Sequence, residues 1–502
     1  MNYLIGVDLG TQGTKTSLLD AESNVIAEAF EPSNLIHPIP GAVEQDPEEM
    51  LGSVLRTIRQ IMESSGVDAK DVAGIGLDGQ MAGIMAVDQR GLAATPYDSW
   101  LDTRCGKYRE PFLSYGEERV ISITGTPVTY AHGPKILWWK NEHPEVYTKI
   151  HRFVLPAAYC VMRMCNLTGD EAYIDYTYLH FSGFADTANK CWSSELLDAL
   201  DVKADKMPRI VKPYDIVGAL SPEMAAACGL LSGTPMVAGC GDTAATSFGA
   251  GIVRSGLSFD IAGTASVLAF ATERFTPDTV HKTLLFAPSV VDGLYTPMAY
   301  INGGGMCLKW LRDDVLNQAL SYDTLNEMAA QIPPGSEDLL FLPHFSGRVC
   351  PNDTRVRGSY INLSWNHKTA HLYRAILEGI AYEYGVYTDI IRELSPDLAL
   401  ERIISIGGGS KSRLFGQIKS DVLGVPVSTI QRADTAALGC SVLAGYGVGL
   451  YDSLTEQVQR SSTICNTIQP NPELYTFYRA RKEIYAEAFP ALHGIYGKLC
   501  AL

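Results

Sequence analysis

The opening of the chain leaves little choice of fold. Tyr3-Leu-Ile-Gly-Val7 is an apolar run that ends on Asp8. A turn with two glycines, Gly10-Thr-Gln-Gly-Thr14, leads through Lys15 into Thr16-Ser-Leu-Leu19. Both runs are too short for helices and fit the two strands of a hairpin. Glycine tolerates positive φ, so Gly10 and Gly13 are expected to turn backbone N–H groups inward as an anion-binding nest. A carboxylate beside a phosphate nest needs a cation between them, and Mg²⁺ is the usual one. The stretch therefore reads as a nucleotide–Mg²⁺ site. An ordinary hairpin with a glycine-rich turn fits the same residues, so the stretch alone leaves both readings open. It is not a P-loop, because the Gly-x-x-x-x-Gly-Lys-Ser/Thr spacing is absent and the turn leads to a strand. It is not a dinucleotide fingerprint either.

At 502 residues the chain has material for two or more domains. Its formal net charge of −16 argues against non-specific binding to nucleic acid or to anionic membranes, which need basic surfaces. An acidic protein still binds a polyanion such as ATP where Mg²⁺ and helix N-termini supply local positive potential. No signal peptide and no apolar run of membrane-spanning length is visible, so a cytoplasmic protein is expected. The eleven cysteines carry no CxxC or zinc spacing and read as reduced thiols. Cys240 stands beside a candidate site, but a small core residue accounts for it.

Val25–Phe30 offers a third strand. Asp46 is placed to cap a helix with Pro47 at its first position and Glu49 in the capping-box position. Met50, Leu51, Val54, Ile58, Ile61 and Met62 give that helix one apolar face, to about Ser64. Val72–Leu77 reads as a buried strand with Ile84–Val87 as its hairpin mate. Helices are expected over His132–Pro144, Val161–Thr168 and Ser193–Leu200. Thr234–Gly239 is a short strand leading to Asp242 at the start of a small-residue helix, Ala244–Gly251, where an aspartate caps well. The opening pattern then recurs: strand Leu257–Ile261, turn Ala262-Gly-Thr-Ala-Ser266, strand Val267–Thr272. Two strand–Gly-Thr–strand copies half a chain apart point to a duplicated fold with two phosphate hairpins. Gly303-Gly-Gly305 precedes a helix, a long helix is expected from Ser364 to Tyr384, and strand Arg402–Ile406 ends in Gly407-Gly-Gly-Ser-Lys-Ser412. Three glycines between strand and helix let a phosphate or a flat ring approach backbone closely.

Taken together, these motifs resemble the FGGY family of carbohydrate kinases within the actin-like ATPase superfamily. The residues that carry the resemblance are Gly6–Lys15, Glu44-Gln-Asp-Pro47, Gly79-Gln-Met81, Trp100-Leu-Asp102, Gly239–Ala245, Ala262–Ser266, Phe341–Gly347 and Ile406–Ser410. The xylulokinase branch is the most similar. The resemblance implies an α/β fold of two RNase-H-like domains with a cleft between them. Residues 1–245 would form the N-terminal domain and 246–502 the C-terminal one. It implies ATP-dependent phosphorylation of a sugar hydroxyl, D-xylulose to D-xylulose 5-phosphate, with Asp242 as general base. Asp8 would hold Mg²⁺, while Thr11, Gln12, Thr14 and Lys15 attend the phosphates. Gly263 and Thr264 would form the second phosphate loop, Gly305 would be a further cofactor-binding residue, and Gly408, Gly409 and Ser410 would lie against adenosine. Gln80, Met81, Trp100, Asp102 and Asp242 would line the sugar site. The implied partners are a small-molecule sugar and ATP, with a homodimer as the assembly and no nucleic acid or membrane.

The pattern departs from the xylulokinase branch at several points. That branch usually reads Gly-Gln-Met-His-Gly, and Ala82 stands in place of the histidine. Leu101 replaces the commoner Asn, Arg348-Val349 follows Ser346-Gly347 instead of Glu-Arg, and Asn362 stands where Gly is frequent. These positions bear on which sugar is bound: ribulose, gluconate, glycerol and erythritol are the alternatives. A non-transferring actin-like ATPase and a sugar-binding regulator are two further classes. Both are disfavoured because Asp8 and Asp242 are retained and neither a peptide-binding domain nor a helix-turn-helix is evident.

Overall fold

The computed structural model describes residues 2–432 and 434–500. The chain divides into two compact units. The first holds residues 2–253, 286–295 and 434–462; the second holds 254–285, 296–432 and 463–500.

The first unit is built on a mixed sheet in the order Ile216–Ala219, Pro235–Val237, Val72–Gly79, Tyr3–Leu9, Gly13–Asp20, Val25–Pro32. Tyr3–Leu9 is antiparallel to Gly13–Asp20 and parallel to Val72–Gly79. The opening hairpin thus forms as expected, but neither Gly10 nor Gly13 takes positive φ. Gly13 is needed for space instead: a Cβ there would meet the Glu31 carbonyl at 2.4 Å and the Phe30 ring at 2.5 Å on the adjoining strand. Helix Pro47–Ser65 packs Val54, Ile58 and Ile61 into the core beneath the sheet. Asp46 caps it through the Glu48 N–H at 2.9 Å, and Glu49 reaches Arg56 rather than closing a capping box.

The expected hairpin mate of Val72–Gly79 pairs elsewhere. Met85–Val87 is antiparallel to Arg152–Val154. The neighbours of Val72–Gly79 are the parallel strands Tyr3–Leu9, Pro235–Val237 and Cys240–Gly241. A strand buried between parallel partners has both edges filled, so the chain must leave it. It does so through a loop in which Ala82 adopts φ 61°. Helix Pro156–Met164 begins and ends earlier than the apolar pattern suggests, because Pro156 sets its first turn and Asn166 turns at φ 57°.

Helix Ala436–Gly447 belongs to this first unit although it lies near the C-terminal end of the sequence. Its backbone presses directly on the sheet. A Cβ on Gly6 would lie 1.9 Å from the Ala437 carbonyl, and one on Gly76 would lie 2.4 Å from that of Cys440.

The second unit repeats the topology. Its sheet runs Tyr295–Ile301, Ser266–Phe270, Leu257–Ala262, Arg402–Ile406, Val427–Ile430, Ile464–Ile468. Leu257–Ala262 is antiparallel to Ser266–Phe270 and parallel to Arg402–Ile406, the same hairpin-plus-parallel arrangement as Tyr3–Leu9. The recurrence read from the two Gly-Thr turns is therefore a recurrence of fold. Helix Thr369–Leu394 starts five residues later than expected and runs ten further. The preceding loop leaves Trp365 98% exposed, so these residues have no core to join. Helix Pro472–Cys500 is the last element of the second unit. Among the described residues no helix is long and apolar enough to cross a membrane.

Candidate active site

In the first unit, three parallel strands end side by side. Their register sets Asp8 opposite Asp78, and Asp78 opposite Cys240, two residues before Asp242. Open α/β sheets present ligand sites at these carboxyl ends. Asp242 is the first residue of helix Asp242–Gly249, with Gly241 as its cap. Its Oδ1 accepts the Thr243 N–H at 2.5 Å and the Thr243 hydroxyl at 3.1 Å.

The carboxylates interact. Burial, and then the charge of Asp8, push Asp242 up to about 7. Asp8 is raised to about 6, chiefly by burial, against a lowering effect of the neighbouring Asp78. Asp78 is fully buried and held well above the ordinary carboxylate range by burial and by Asp8. Its Oδ2 accepts the Cys440 thiol at 3.1 Å, while its Oδ1 has no partner. An unspent buried carboxylate oxygen beside two further carboxylates suits a hydrated divalent cation. Among the described residues no three acidic, histidine or cysteine side chains converge closely enough to cage a metal.

Asp78 was not among the residues singled out from the sequence. A lone carboxylate ending an apolar strand looks like the start of a turn, and only the register places it beside Asp8. Asp434 escaped notice in the same way: it pairs with Lys15 at 2.7 Å, and Lys15 also reaches Glu28 at 3.2 Å. Lys15 is thus held in an ion-pair network.

Thr11 and Trp100 join one hydrogen-bond chain. The Trp100 indole donates to the Thr11 hydroxyl at 2.8 Å, and Thr11 donates to Gln80 Oε1 at 3.1 Å. Gln80 Nε2 donates to Gln45 Oε1 at 2.7 Å and to the Gly10 carbonyl at 3.2 Å. Trp100 remains 41% exposed, so its ring is a reachable wall. Met81 packs against Gly241, where a Cβ would lie 2.7 Å from its terminal methyl. Gln12 is exposed at the turn.

Two residues expected to face ligand point elsewhere. Thr14 is buried, and its hydroxyl pairs with Ser53 of helix Pro47–Ser65 at 2.6 Å. Asp102 is fully buried; it accepts the Val43 N–H at 2.9 Å and the Arg104 guanidinium at 2.9 Å. Arg104 also meets Asp98 at 2.5 Å and Glu44 at 2.6 Å, and its guanidinium lies 4.4 Å from the Trp138 ring centroid. This packed network fixes the loop that presents Trp100.

In the second unit a cavity of about 720 Å³ is lined by Gly263, Thr264, Gly305, Gly408 and Gly409, as the glycine-rich turns suggested. The glycines are there for close approach: a Cβ on Gly305 would lie 1.9 Å from the Gly263 carbonyl. The Met306 N–H donates to the Thr264 carbonyl at 3.1 Å, locking the two turns together. Ser410 is not in this lining, and its hydroxyl turns back to the Gly407 carbonyl at 2.7 Å. Tyr322 and Asn326 of helix Tyr322–Ala330, with Tyr373, form a wall that no motif announced. Lys309, Arg312 and Lys411 add positive charge to the lining. The size suits a nucleotide, and the glycine turns suit phosphate.

Comparison with known proteins agrees with this two-unit fold. The family model of the N-terminal domain of FGGY carbohydrate kinases matches residues 3–249, and that of the C-terminal domain matches residues 260–448. A xylulose kinase of Bacillus subtilis is 30% identical over 498 residues, covering 97% of each chain. A gluconokinase of the same organism is 28% identical, covering 90% of this chain and 89% of its own. The crystal structure of xylulose kinase from Rhodospirillum rubrum superposes with a TM-score of 0.89 at 26% identity, covering 99% of this chain and all of that one. This chain belongs to the FGGY family of carbohydrate kinases.

Proposed function

We propose that the protein transfers the terminal phosphoryl group of ATP to a pentulose, D-xylulose giving D-xylulose 5-phosphate, with Asp242 as general base. The observation that carries this reading is the position of Asp242: a half-buried carboxylate at the carboxyl end of the sheet, with its pKa raised to about 7. A sugar hydroxyl is a poor nucleophile, and a base with a pKa near the working pH accepts its proton most effectively. Asp242 takes that proton as the sugar oxygen bonds to the terminal phosphorus and the bond to ADP breaks. Phosphoryl transfer is chiefly positioning and charge stabilisation. Gln80 and Trp100, tied through Thr11, orient the sugar. Asp8, with Asp78 beside it, would hold Mg²⁺, which when bound would supply positive charge against the phosphates. Gly263, Thr264 and Gly305 cradle phosphate, and Gly408 and Gly409 lie along the adenosine. In this reading the division of labour follows the sequence: residues 1–245 serve the sugar and the first phosphate loop, and 246–502 serve adenosine and the second.

A kinase for another pentulose, an aldonate or a polyol is the second reading, favoured by Ala82. The test is sugar-dependent ADP release across D-xylulose, D-ribulose, D-gluconate, glycerol and erythritol, with Asp242→Asn alongside. Turnover on D-xylulose that falls by at least about 10³-fold in Asp242→Asn is the expected result. Turnover on another member alone moves the substrate. Hydrolysis independent of every sugar and unchanged in Asp242→Asn removes the kinase reading.

A further inference from the structure

Asn326 stands inside helix Tyr322–Ala330 of the second unit. Asparagine is a poor residue for a helix interior, because its side chain competes for backbone hydrogen bonds. The core contacts of this helix come from Leu325 and Ala329. Asn326 lies one turn after Tyr322, on the same face, and both line the cavity that Gly305, Gly408 and Gly409 also line. Its half-buried carboxamide is held by its oxygen alone. The Ser412 hydroxyl donates to Oδ1 at 2.7 Å, and the Tyr373 hydroxyl donates to the same oxygen at 3.4 Å. Ser412 caps helix Arg413–Leu423, where its oxygen accepts the Phe415 N–H at 3.2 Å, which leaves its proton for Asn326. Ser412 and Tyr373 belong to the cavity lining as well. With the oxygen committed to two donors, the amino group Nδ2 is the unspent end, and it carries two N–H donors. It has no partner among the described residues.

The surfaces around Asn326 suit a flat ring. Tyr373, Leu377 and Ile380 follow one another along one face of helix Thr369–Leu394, and all three line the cavity. The Tyr322 ring is braced from behind by the Arg312 guanidinium, 4.2 Å from its centroid. Arg312 and Lys309 share the Asp313 carboxylate, so their charge is partly spent. A site for a base is built in this way, from apolar walls and a few placed polar groups.

We propose that Asn326 reads the base of the nucleotide, its amino group donating to a ring nitrogen of the purine. The assignment deepens the proposed function and rests on it in one respect, that adenosine lies in this cavity. An amide whose oxygen is spent cannot make the paired donor–acceptor contact by which asparagine recognises the 6-amino group and N7 of adenine together. Asn326 instead supplies a donor, and N1, N3 and N7 of adenine are the acceptors it can meet.

The experiment is calorimetric titration of the full-length protein with ADP and with 1-deaza-, 3-deaza- and 7-deaza-ADP, each of which carries C–H in place of one ring nitrogen. Wild type is compared with Asn326→Ala and Asn326→Asp. The aspartate keeps an oxygen for Ser412 and Tyr373 and replaces the amino group by a second oxygen. ADP is expected to bind both variants about tenfold more weakly than wild type. One of the three analogues should bind wild type about tenfold more weakly than ADP does, and that penalty should vanish in Asn326→Ala. A residue that merely shapes the wall would weaken ADP and all three analogues alike. Penalties that are equal in wild type and in Asn326→Ala for all three analogues therefore overturn the assignment. So does an ADP affinity that stays within threefold of wild type in both variants. A wild type that shows the expected penalties yet transfers phosphate to no sugar removes the kinase reading alone. A wild type that binds no ADP removes the nucleotide reading, and this assignment with it.

Discussion

His132 and His180 are fully buried in the first unit, and three of their ring nitrogens lack hydrogen-bond partners: Nε2 of His132 and both nitrogens of His180. Burial drives both to about 3, with Lys135 adding to the effect at His132 and the backbone at Thr177 opposing it at His180. The sign of the consequence is fixed. An unfolded chain takes up a proton at each histidine near pH 6.5, whereas the folded chain does not until about pH 3. Stability is therefore lost as pH falls below 6.5, at about 1.4 kcal/mol per pH unit for each histidine. Asp98 and Asp175, pushed up to about 7 chiefly by burial, act with the opposite sign. They bind protons in the folded state first, so their cost is relieved as pH falls from 7 towards 3.8. The difference between wild type and His180→Asn isolates the histidine contribution. In urea unfolding, the gap between the two proteins should move in favour of the variant from pH 7 to pH 5, by about 1–2 kcal/mol. A gap that does not change with pH would show that His180 is protonated in the fold or reached by water.

At the scale of elements, glycine decides what touches what. The second unit brings two glycine-bearing turns, 262–266 and 303–305, into contact because Gly305 has no Cβ to strike the Gly263 carbonyl. Gly408 differs, since a Cβ there would meet nothing within 4 Å. Gly408→Ala should consequently leave unfolding free energy within about 0.5 kcal/mol of wild type. If adenosine lies along this turn, the added methyl should weaken ADP binding about tenfold, measured by calorimetric titration. Unchanged affinity would put the nucleotide elsewhere in the cavity. Elements whose signals are local could be read in advance. Short apolar runs and turn residues marked both hairpins, and Asp46-Pro47 marked the start of its helix. Partners could not be read. Met85–Val87 has the composition of a hairpin mate, yet the edge it would have joined is filled by strands some 160 residues away. The candidate site divides in the same way. Asp8, Gly263, Thr264 and Gly305 were visible from their turns, while the directions of Thr14, Asp102 and Ser410 depended on what packs beside them.

At the scale of the whole molecule, two units of the same topology carry different equipment, carboxylates in one and a glycine-lined cavity in the other. Their ligands should leave separate footprints in amide exchange. ADP is expected to slow exchange by at least about tenfold in 262–266, 303–307 and 407–412, and the preferred sugar to do so in 79–83, 97–102 and 240–243. Coincident footprints would contradict the assignment of sugar to the first unit and adenosine to the second. The sequence by itself determined the two glycine-bearing hairpins, the places of their turns and the presence of Asp8 and Asp242 at strand ends. These depend on contacts between near neighbours and on residue types that tolerate few conformations. Only the tertiary structure decided that helix Ala436–Gly447 closes the first unit and that Asp78 stands between Asp8 and Asp242. Each follows from packing surfaces distant in sequence, where glycines let backbones meet and burial sets the charge state of whatever lies between them.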